Sequence, residues 1–557
     1  MKIQTRPSKH LLSAAFAVLI SALPLHGDKM PNVVFILIDD ISHYGVSAYG
    51  AKQLNSTEGF FESVPVATPE IDRLADEGVL AKNAFAYAIC EPTRIALMTG
   101  MNNQRNFVQA KALHESHITF GDLFKRAGYT TGIAGKWKQS RGSSTIPGDA
   151  YVDQFGWDYI HCFDLLYEGP RHIDPNFVIN GKINWYKGLN PETKRRYYGP
   201  ELVNRFALDF IETHQDEAFF LYYPMLLVHD EHTPTPDTQP SEHYDNFEVM
   251  THTGVKPDNS FGAFKGDDRR FYPDMVAYMD KMIGKVTDQL DRLGLREKTL
   301  IVVMGDNGSK AAFSYTLEDG SQFIGAKGQS KVNGLQVPLI LSYPGSIAAG
   351  STYDGLINLT DLLPTLCELA EINIPYKEEI DGISFWPQLA GKHSRAHREN
   401  LYTWYNANRA MADQSKLITY AQEIGFKRYG PDANYPEGRF FDLRTDPFER
   451  EGAQKVKFDW NNWHHSGLNI SKLTELQRAA YDRLGEVLIK NAYRPVSAVK
   501  IVAPTSRLKI NESIALQKLI SPQDASMRSV IWESNDPTVA MVDKFGNVTA
   551  RQTGNVT

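Results

Sequence analysis

The run Asn32-Val33-Val34-Phe35-Ile36-Leu37-Ile38 is apolar without a break and stops at Asp39-Asp40. A strand with one face in water alternates apolar and polar residues, whereas a central parallel strand covered on both faces does not. Further strand-like runs lie at Tyr129 to Ala134, Ala218 to Tyr223, Thr299 to Met304 and Val337 to Ser342. Ser116 to Ala127, Glu201 to His214 and Asp274 to Leu293 read as the helices between them. Another helix starts at Thr68-Pro69, with Thr68 as N-cap, Pro69 in the first turn and Gly78 as the stop. This alternation predicts an α/β fold, a mostly parallel sheet sandwiched by helices.

The pattern changes after about Gly391. Tyr402 to Tyr405, Leu417 to Tyr420 and Gly438 to Leu443 read as short antiparallel strands, and Ser471 to Ala492 as a closing helix. This predicts a smaller α+β subdomain over 391–495, ending in a linker at Tyr493-Arg494-Pro495. Val499 to Val502, Ser529 to Trp532 and Val539 to Asp543 then predict a small β-sandwich over 496–557. Its last strand is expected where the sequence stops at Thr557, so the final edge is expected to be incomplete or the sequence a fragment.

Lys2, Arg6 and Lys9 precede the apolar run Leu11 to Ile20, and small residues follow to Gly27. The run is too short to span a bilayer and reads as a secretory signal over 1–27, leaving a catalytic α/β domain over 28–390. No other segment is apolar and long enough to be transmembrane. A net charge of −7 argues against nucleic acid as the main partner. Three cysteines in an exported chain leave one unpaired. Cys162 and Cys367 could pair, but two independent buried thiols are favoured, with Cys367 on a core-facing helix.

Candidate chemistry gathers where strands run out, the place where α/β sheets bind ligands. Asp39 and Asp40 end one strand, and Asp306 and Asn307 follow another. Either pair alone is an ordinary turn or cap. Together, as hard oxygen donors without clustered Cys or His, they suit Ca²⁺ or Mg²⁺ rather than zinc. Lys136 follows a third strand, and His229 and His232 follow a fourth. His43 is close to Asp40 in sequence, whereas His114, His117 and His161 read as surface residues. Cys90-Glu91-Pro92-Thr93-Arg94 opens a run with helical character, and its thiol beside an arginine could by itself be a low-pKa nucleophile.

That pentad resembles the one in which sulfatases convert a cysteine to formylglycine. Pro31 to Asp40, Thr68 to Gly78, Gly128 to Trp137, Thr299 to Gly308 and Gly325 to Ile340 resemble further ordered segments of the same family. The resemblance implies an alkaline phosphatase-like fold and a sulfuric ester hydrolase. It implies that Asp39, Asp40, Asp306 and Asn307 bind one Ca²⁺ together with the modified Cys90. Arg94 would hold the formylglycine, and Lys136 and Lys327 would grip the sulfate oxygens. His229 or His232 would protonate the leaving alcohol, with His229 preferred as nearer the strand end. A formylglycine-generating or anaerobic maturation enzyme is the implied partner. Val530 to Pro537 and Gly546 to Ala550 resemble a partial bacterial group 2 Ig-like domain, and with the signal this suggests a sulfated polysaccharide substrate and a secreted or periplasmic location, with cell-surface association as a further option. Tyr167 to Gly188 and Asp237 to Arg270 are expected to set pocket depth.

One position departs from the family. Lys138 stands where a histidine often follows the first lysine, and lysine is a poor base unless its pKa is lowered. Two other readings stay open: a phosphodiesterase or phosphonate monoester hydrolase on the same scaffold, and a non-catalytic glycan-binding surface protein with a decayed site.

Overall fold

The computed structural model describes residues 30–107, 112–140, 151–163, 170–247, 267–406, 417–458 and 462–557. The expected signal over 1–27 and parts of the two pocket-setting loops lie outside them. The central sheet has ten strands. In chain order these are β1 (Asn32–Ile38), β2 (Val79–Phe85), β3 (Thr130–Lys136), β4 (Tyr159–Phe163), β5 (Asn176–Ile179), β6 (Lys182–Trp185), β7 (Phe219–Pro224), β8 (Thr299–Gly305), β9 (Leu339–Ser342) and β10 (Ser351–Asn358). Their spatial order is β10-β2-β9-β8-β1-β7-β3-β4-β5-β6.

The middle of the sheet, β8-β1-β7-β3-β4, is parallel throughout. β1 and β8 are buried at every position, as their unbroken apolar runs predict. The run at 337–342 is a strand only from Leu339 and lies antiparallel to β8. β5 and β6 form a hairpin inside the first of the expected pocket loops.

The helices used below are α1 (Pro69–Asp76), α2 (Cys90–Thr99), α3 (Phe120–Arg126), α4 (Gly199–Thr213), α5 (Tyr272–Arg292) and α6 (Leu362–Leu369). Thr68 stands at the N-cap of α1, but its hydroxyl makes no capping bond. It is engaged by the Ser47 hydroxyl at 2.8 Å and by Asp72 at 3.3 Å. The first amides of α1 are met instead by Asp280 of α5, which accepts from Glu70 and Ile71 at 3.1 and 2.9 Å. A tertiary carboxylate has replaced the local cap. α3 starts at Phe120 rather than Ser116, because Thr119 and Asp122 form a reciprocal capping box there.

Cys162 on β4 and Cys367 on α6 are buried and form no disulfide. Two surface expectations are overturned. His117 is buried, with its ring nitrogens 3.1 Å from the Asn106 carbonyl and 2.8 Å from the Ser529 hydroxyl. His161 lies within β4, buried against Phe177 and Phe206.

Strands Leu401–Asn406, Leu417–Glu423, Phe426–Tyr429 and Arg439–Asp442 form an antiparallel sheet, and the helix Glu475–Lys490 packs on it through Ala480, Tyr481 and Leu484. Beyond it, Ala498–Val502 pairs with Gln517–Ser521, and Asn547–Ala550 lies between Ser513–Ala515 and Ala540–Val542. Ser529 to Trp532 was expected as a strand and is not one. It lies on the main body instead, where the Ser529 hydroxyl meets His117, while within the terminal domain the Arg528 carbonyl accepts from Lys518 at 2.7 Å. Lys518 also pairs with Glu379, and Lys544 with Asp122, each at 2.9 Å. Arg126 stacks 4.2 Å above the Phe545 ring. No described helix is long and apolar enough to cross a membrane.

Candidate active site

The parallel register of β1 and β8 pairs Ile38 with Gly305, so the carboxylates after each strand emerge side by side. Asp40 takes a left-handed backbone, φ 63°, and its amide donates to Asp306 Oδ1 at 3.0 Å. Asn307 Nδ2 donates to Asp40 Oδ1 at 2.8 Å. The Asp39 amide and carbonyl bond Leu227 and Val228, which ties the segment leading to His229 to the end of β1.

β3 delivers Lys136 to the same edge, and its ammonium donates to Asp39 Oδ2 at 2.6 Å. The preceding Gly135 has φ 126°, and a Cβ there would lie 1.9 Å from the Pro224 carbonyl oxygen. Only glycine lets β3 approach β7 this closely. Cys90 is the first residue of α2, at the end where backbone dipoles favour negative charge. One turn on, Arg94 donates from Nε and Nη2 to Asp306 Oδ2, at 3.1 and 2.7 Å, and from Nη1 to the Lys136 carbonyl at 2.9 Å. Lys327 pairs directly with Asp40. Its segment is held by Gly328, whose amide donates to the Ala88 carbonyl at 2.8 Å, just before Cys90.

His229 faces this group. Its Nε2 is 3.8 Å from Asp40 Oδ2, and its Nδ1 is 2.6 Å from Asp230 Oδ1. Cys90 Sγ, a His229 nitrogen and an Asp39 oxygen lie within 4.8 Å of one another. His232 lies elsewhere, 2.6 Å from Asp267 and edge-on to Tyr272 and Phe313. His43 is buried, contacting the Val337 carbonyl and the Tyr49 ring.

Charge is concentrated and mutually dependent. Burial pushes the Asp39 and Asp40 carboxyls up, but Lys136 and Lys327 beside them hold both below the usual range. Burial and repulsion from Asp39 push Asp306 up to about 7. Three carboxylates face three cations, Arg94, Lys136 and Lys327, yet Asp306 is still pushed up, so a further positive charge beside it would be favourable. Two buried oxygens, Asp39 Oδ1 and Asn307 Oδ1, carry no hydrogen bond. Oxygen donors, three clustered acids and two unmet oxygens together fit a hard divalent cation, with Asp39, Asp40, Asp306 and Asn307 as its holders. Burial also pushes the Cys90 thiol up, so it is not an activated thiolate. Burial and the two lysines lower His229 to about 4.

Sequence reasoning missed four residues. Asp230 orients His229, and Lys310 supports Asp230 at 2.5 Å. Both follow assigned residues closely in sequence, the only signal they gave. Arg171 and Glu231 are buried beside the site, and no local pattern marks them. Lys138 has a left-handed backbone, φ 54°, and its ammonium lies 5.9 Å from the Phe163 ring centre.

The chain matches known proteins over most of its length. The sulfatase family model matches residues 31–372, and the model for the C-terminal part of N-sulphoglucosamine sulphohydrolase matches 330–459. The bacterial Ig-like domain (group 2) model matches 495–557. An uncharacterized sulfatase, YdeN of Escherichia coli, is 25% identical over 80% of this chain and 81% of its own. The N-acetylgalactosamine-6-O-sulfatase of Bacteroides thetaiotaomicron is 24% identical over 77% of this chain and 90% of its own. A protein solved in complex with its substrate D-glucosamine-2-N,6-O-disulfate superposes with a TM-score of 0.61 at 20% identity, covering 83% of this chain and 98% of that one.

Proposed function

From the membership of this chain in the sulfatase family of sulfuric ester hydrolases, we propose that it is exported and hydrolyses sulfate monoesters of a sulfated polysaccharide or oligosaccharide. Cys90 is converted to formylglycine by a separate maturation enzyme, and one Ca²⁺ is held by Asp39, Asp40, Asp306 and Asn307. The observation that carries the reading is the convergence of these four residues with Cys90, Lys136, Lys327 and His229 at one strand edge, with two oxygens left unmet. Export rests on the basic and apolar pattern of 1–27. The glycan class rests on relatives named N-acetylgalactosamine-6-sulfatase and on the appended Ig-like domain.

The hydrated aldehyde of formylglycine supplies a nucleophilic hydroxyl, and the cation supplies charge for the sulfate oxygens. The residues of the chain do the rest. Lys136, paired with Asp39, and Lys327, paired with Asp40, bind the oxyanion, whose charge shifts as the S–O bond breaks. Arg94 holds Asp306 in place. Asp230 accepts from Nδ1 of His229 and leaves Nε2 as the nitrogen that gives its proton to the departing alcohol oxygen. A bound sulfate offsets the lysine charges that depress this imidazole, so the histidine gains proton affinity when substrate arrives.

Mass spectrometry of the peptide carrying residue 90, from protein made in its native host, tests the first step. Loss of the thiol in favour of an aldehyde is expected, and an intact thiol overturns it. Parallel sulfate and phosphate ester assays separate this reading from a phosphoesterase on the same scaffold.

A further inference from the structure

Lys427 and Glu449 stand outside the acid cluster, and both are buried. Lys427 and Tyr429 point to one face of the strand Phe426–Tyr429 in the C-terminal subdomain. The Lys427 ammonium donates to Glu449 Oε1 at 3.0 Å and to the Ser330 carbonyl. The Tyr429 hydroxyl is 2.6 Å from that same carbonyl and also meets Oε2 of Glu449. Glu449 Oε1 accepts in addition from the Val332 amide at 2.8 Å. The backbone of Glu449 is left-handed, φ 55°, a conformation that costs a residue other than glycine energy. The rings of Tyr420 and Tyr429 lie 4.3 and 4.8 Å from the ammonium. Arg439 stacks 3.8 Å from the Tyr429 ring centre, and Lys331, Arg450 and Asp446 complete the charges around this group. Burial lowers the Lys427 ammonium to about 8, and Glu449 holds it up against burial, Arg439 and Lys331. A buried ion pair is weak evidence for stability, but neither partner can leave without stranding the other, so it fixes geometry.

What it fixes is the turn that carries Lys327. The Gln329 amide donates to the Ala326 carbonyl at 2.9 Å, and a Cβ on Gly334 would lie 2.4 Å from that carbonyl oxygen, so the turn is closed on itself. Its other bonds run to the site: the Lys327 amide donates to the Ser309 carbonyl at 2.9 Å, and the amide of Gly308, next to Asn307, donates to the Gly334 carbonyl at 3.1 Å. A side chain is held in its working position by the shell behind it, and here that shell comes from another subdomain. We propose that Lys427, Tyr429 and Glu449 are positioning residues, a clamp from the C-terminal subdomain that grips Ser330 and Val332 and thereby sets where Lys327 presents its ammonium to an oxyanion. The clamp rests on the reading of Lys327 as a sulfate-binding lysine.

Two measurements on protein from its native host separate the clamp from that reading. Hydrogen exchange reads the turn and needs no ligand. The amides of residues 327 to 334 are expected to exchange faster by about tenfold or more in Tyr429→Phe and in Lys427→Met, with those of β1 and β8 unchanged. Calorimetry with inorganic sulfate reads the consequence and needs no turnover. Tyr429→Phe is expected to weaken sulfate binding by about 3–10-fold, the range of one hydrogen bond, and Lys427→Met by more. In a Lys327→Ala background the Tyr429→Phe loss is expected to vanish, and in a Lys136→Ala background to persist, a pattern that general destabilisation does not produce. Wild-type exchange or wild-type sulfate affinity in both variants overturns the clamp, as does a loss undiminished by Lys327→Ala. Faster exchange with no sulfate bound by any of these proteins, wild type included, instead overturns the oxyanion reading and leaves the clamp on the turn standing.

Discussion

Two nitrogens of Arg94 donate to a single oxygen of Asp306, at 3.1 and 2.7 Å, in a site where both side chains are essentially out of solvent. Lysine cannot reproduce that fork. Arg94→Lys is therefore expected to lose at least a hundredfold in kcat. Arg94→Ala, which leaves the buried acid without its partner, is expected to lose about 3–5 kcal/mol of stability. Steady-state kinetics and thermal melts of the two variants check this. Wild-type activity in Arg94→Lys would show that the fork is dispensable.

Removal of the cation should be felt twice. Asp39, Asp40 and Asp306 repel one another, and Asp39 Oδ1 and Asn307 Oδ1 accept no hydrogen bond. EGTA is expected to lower both sulfatase activity and Tm, and added Ca²⁺ to restore them. At a hundredfold excess over Kd a bound ion adds about 2.7 kcal/mol. A Tm indifferent to chelator and Ca²⁺ alike would rule the metal site out.

His229 and His232 make opposite predictions. His229→Ala is expected to cost about 10²–10⁴ in kcat for an alkyl sulfate, and much less for a nitrophenyl sulfate whose leaving group needs no proton. His232→Gln breaks a contact to Asp267, not to the acid cluster, and should affect both substrates alike. If the alkyl-specific loss followed His232 instead, the acid would be misassigned.

Acid should destabilise the fold through its buried histidines before carboxylates of ordinary pKa protonate, with Asp306 and Asp280, pushed up to about 7 and about 6, offsetting part of the loss. Burial lowers His43 and His161 to about 4, and His117 and His172 to about 3. Below about pH 6.5 the unfolded chain takes up protons at these positions and the folded chain does not. Stability then falls with falling pH, by about 1.4 kcal/mol per unit for each such histidine. Tm is expected to drop between pH 6.5 and 5, with a shallower slope in His161→Gln. A flat profile over that window would contradict the burial argument.

Sequence alone revealed most of the sheet because β1, β7 and β8 lie under cover on both faces, and their apolar runs have no other use. The acids at 39, 40, 306 and 307 were legible for the same reason, as polar pairs at the ends of such runs. What escaped depends on partners distant in the chain. The amides of α1 are capped by Asp280, more than two hundred residues away, so Thr68 looked like the cap. His117 looked exposed because Ser529, which closes over it, belongs to the last domain. Arg171 gave no signal because a single arginine in a connecting segment has no period to break.

The ion pair between Lys544 and Asp122 joins the terminal domain to the capping box that starts α3. That helix leads directly into β3 and its Lys136. A cut at residue 495 would thus strip a counter-ion from a helix that leads into the strand carrying Lys136. The appended module and the catalytic body are therefore expected to melt together, and a different module grafted there would need a cation of its own to meet Asp122.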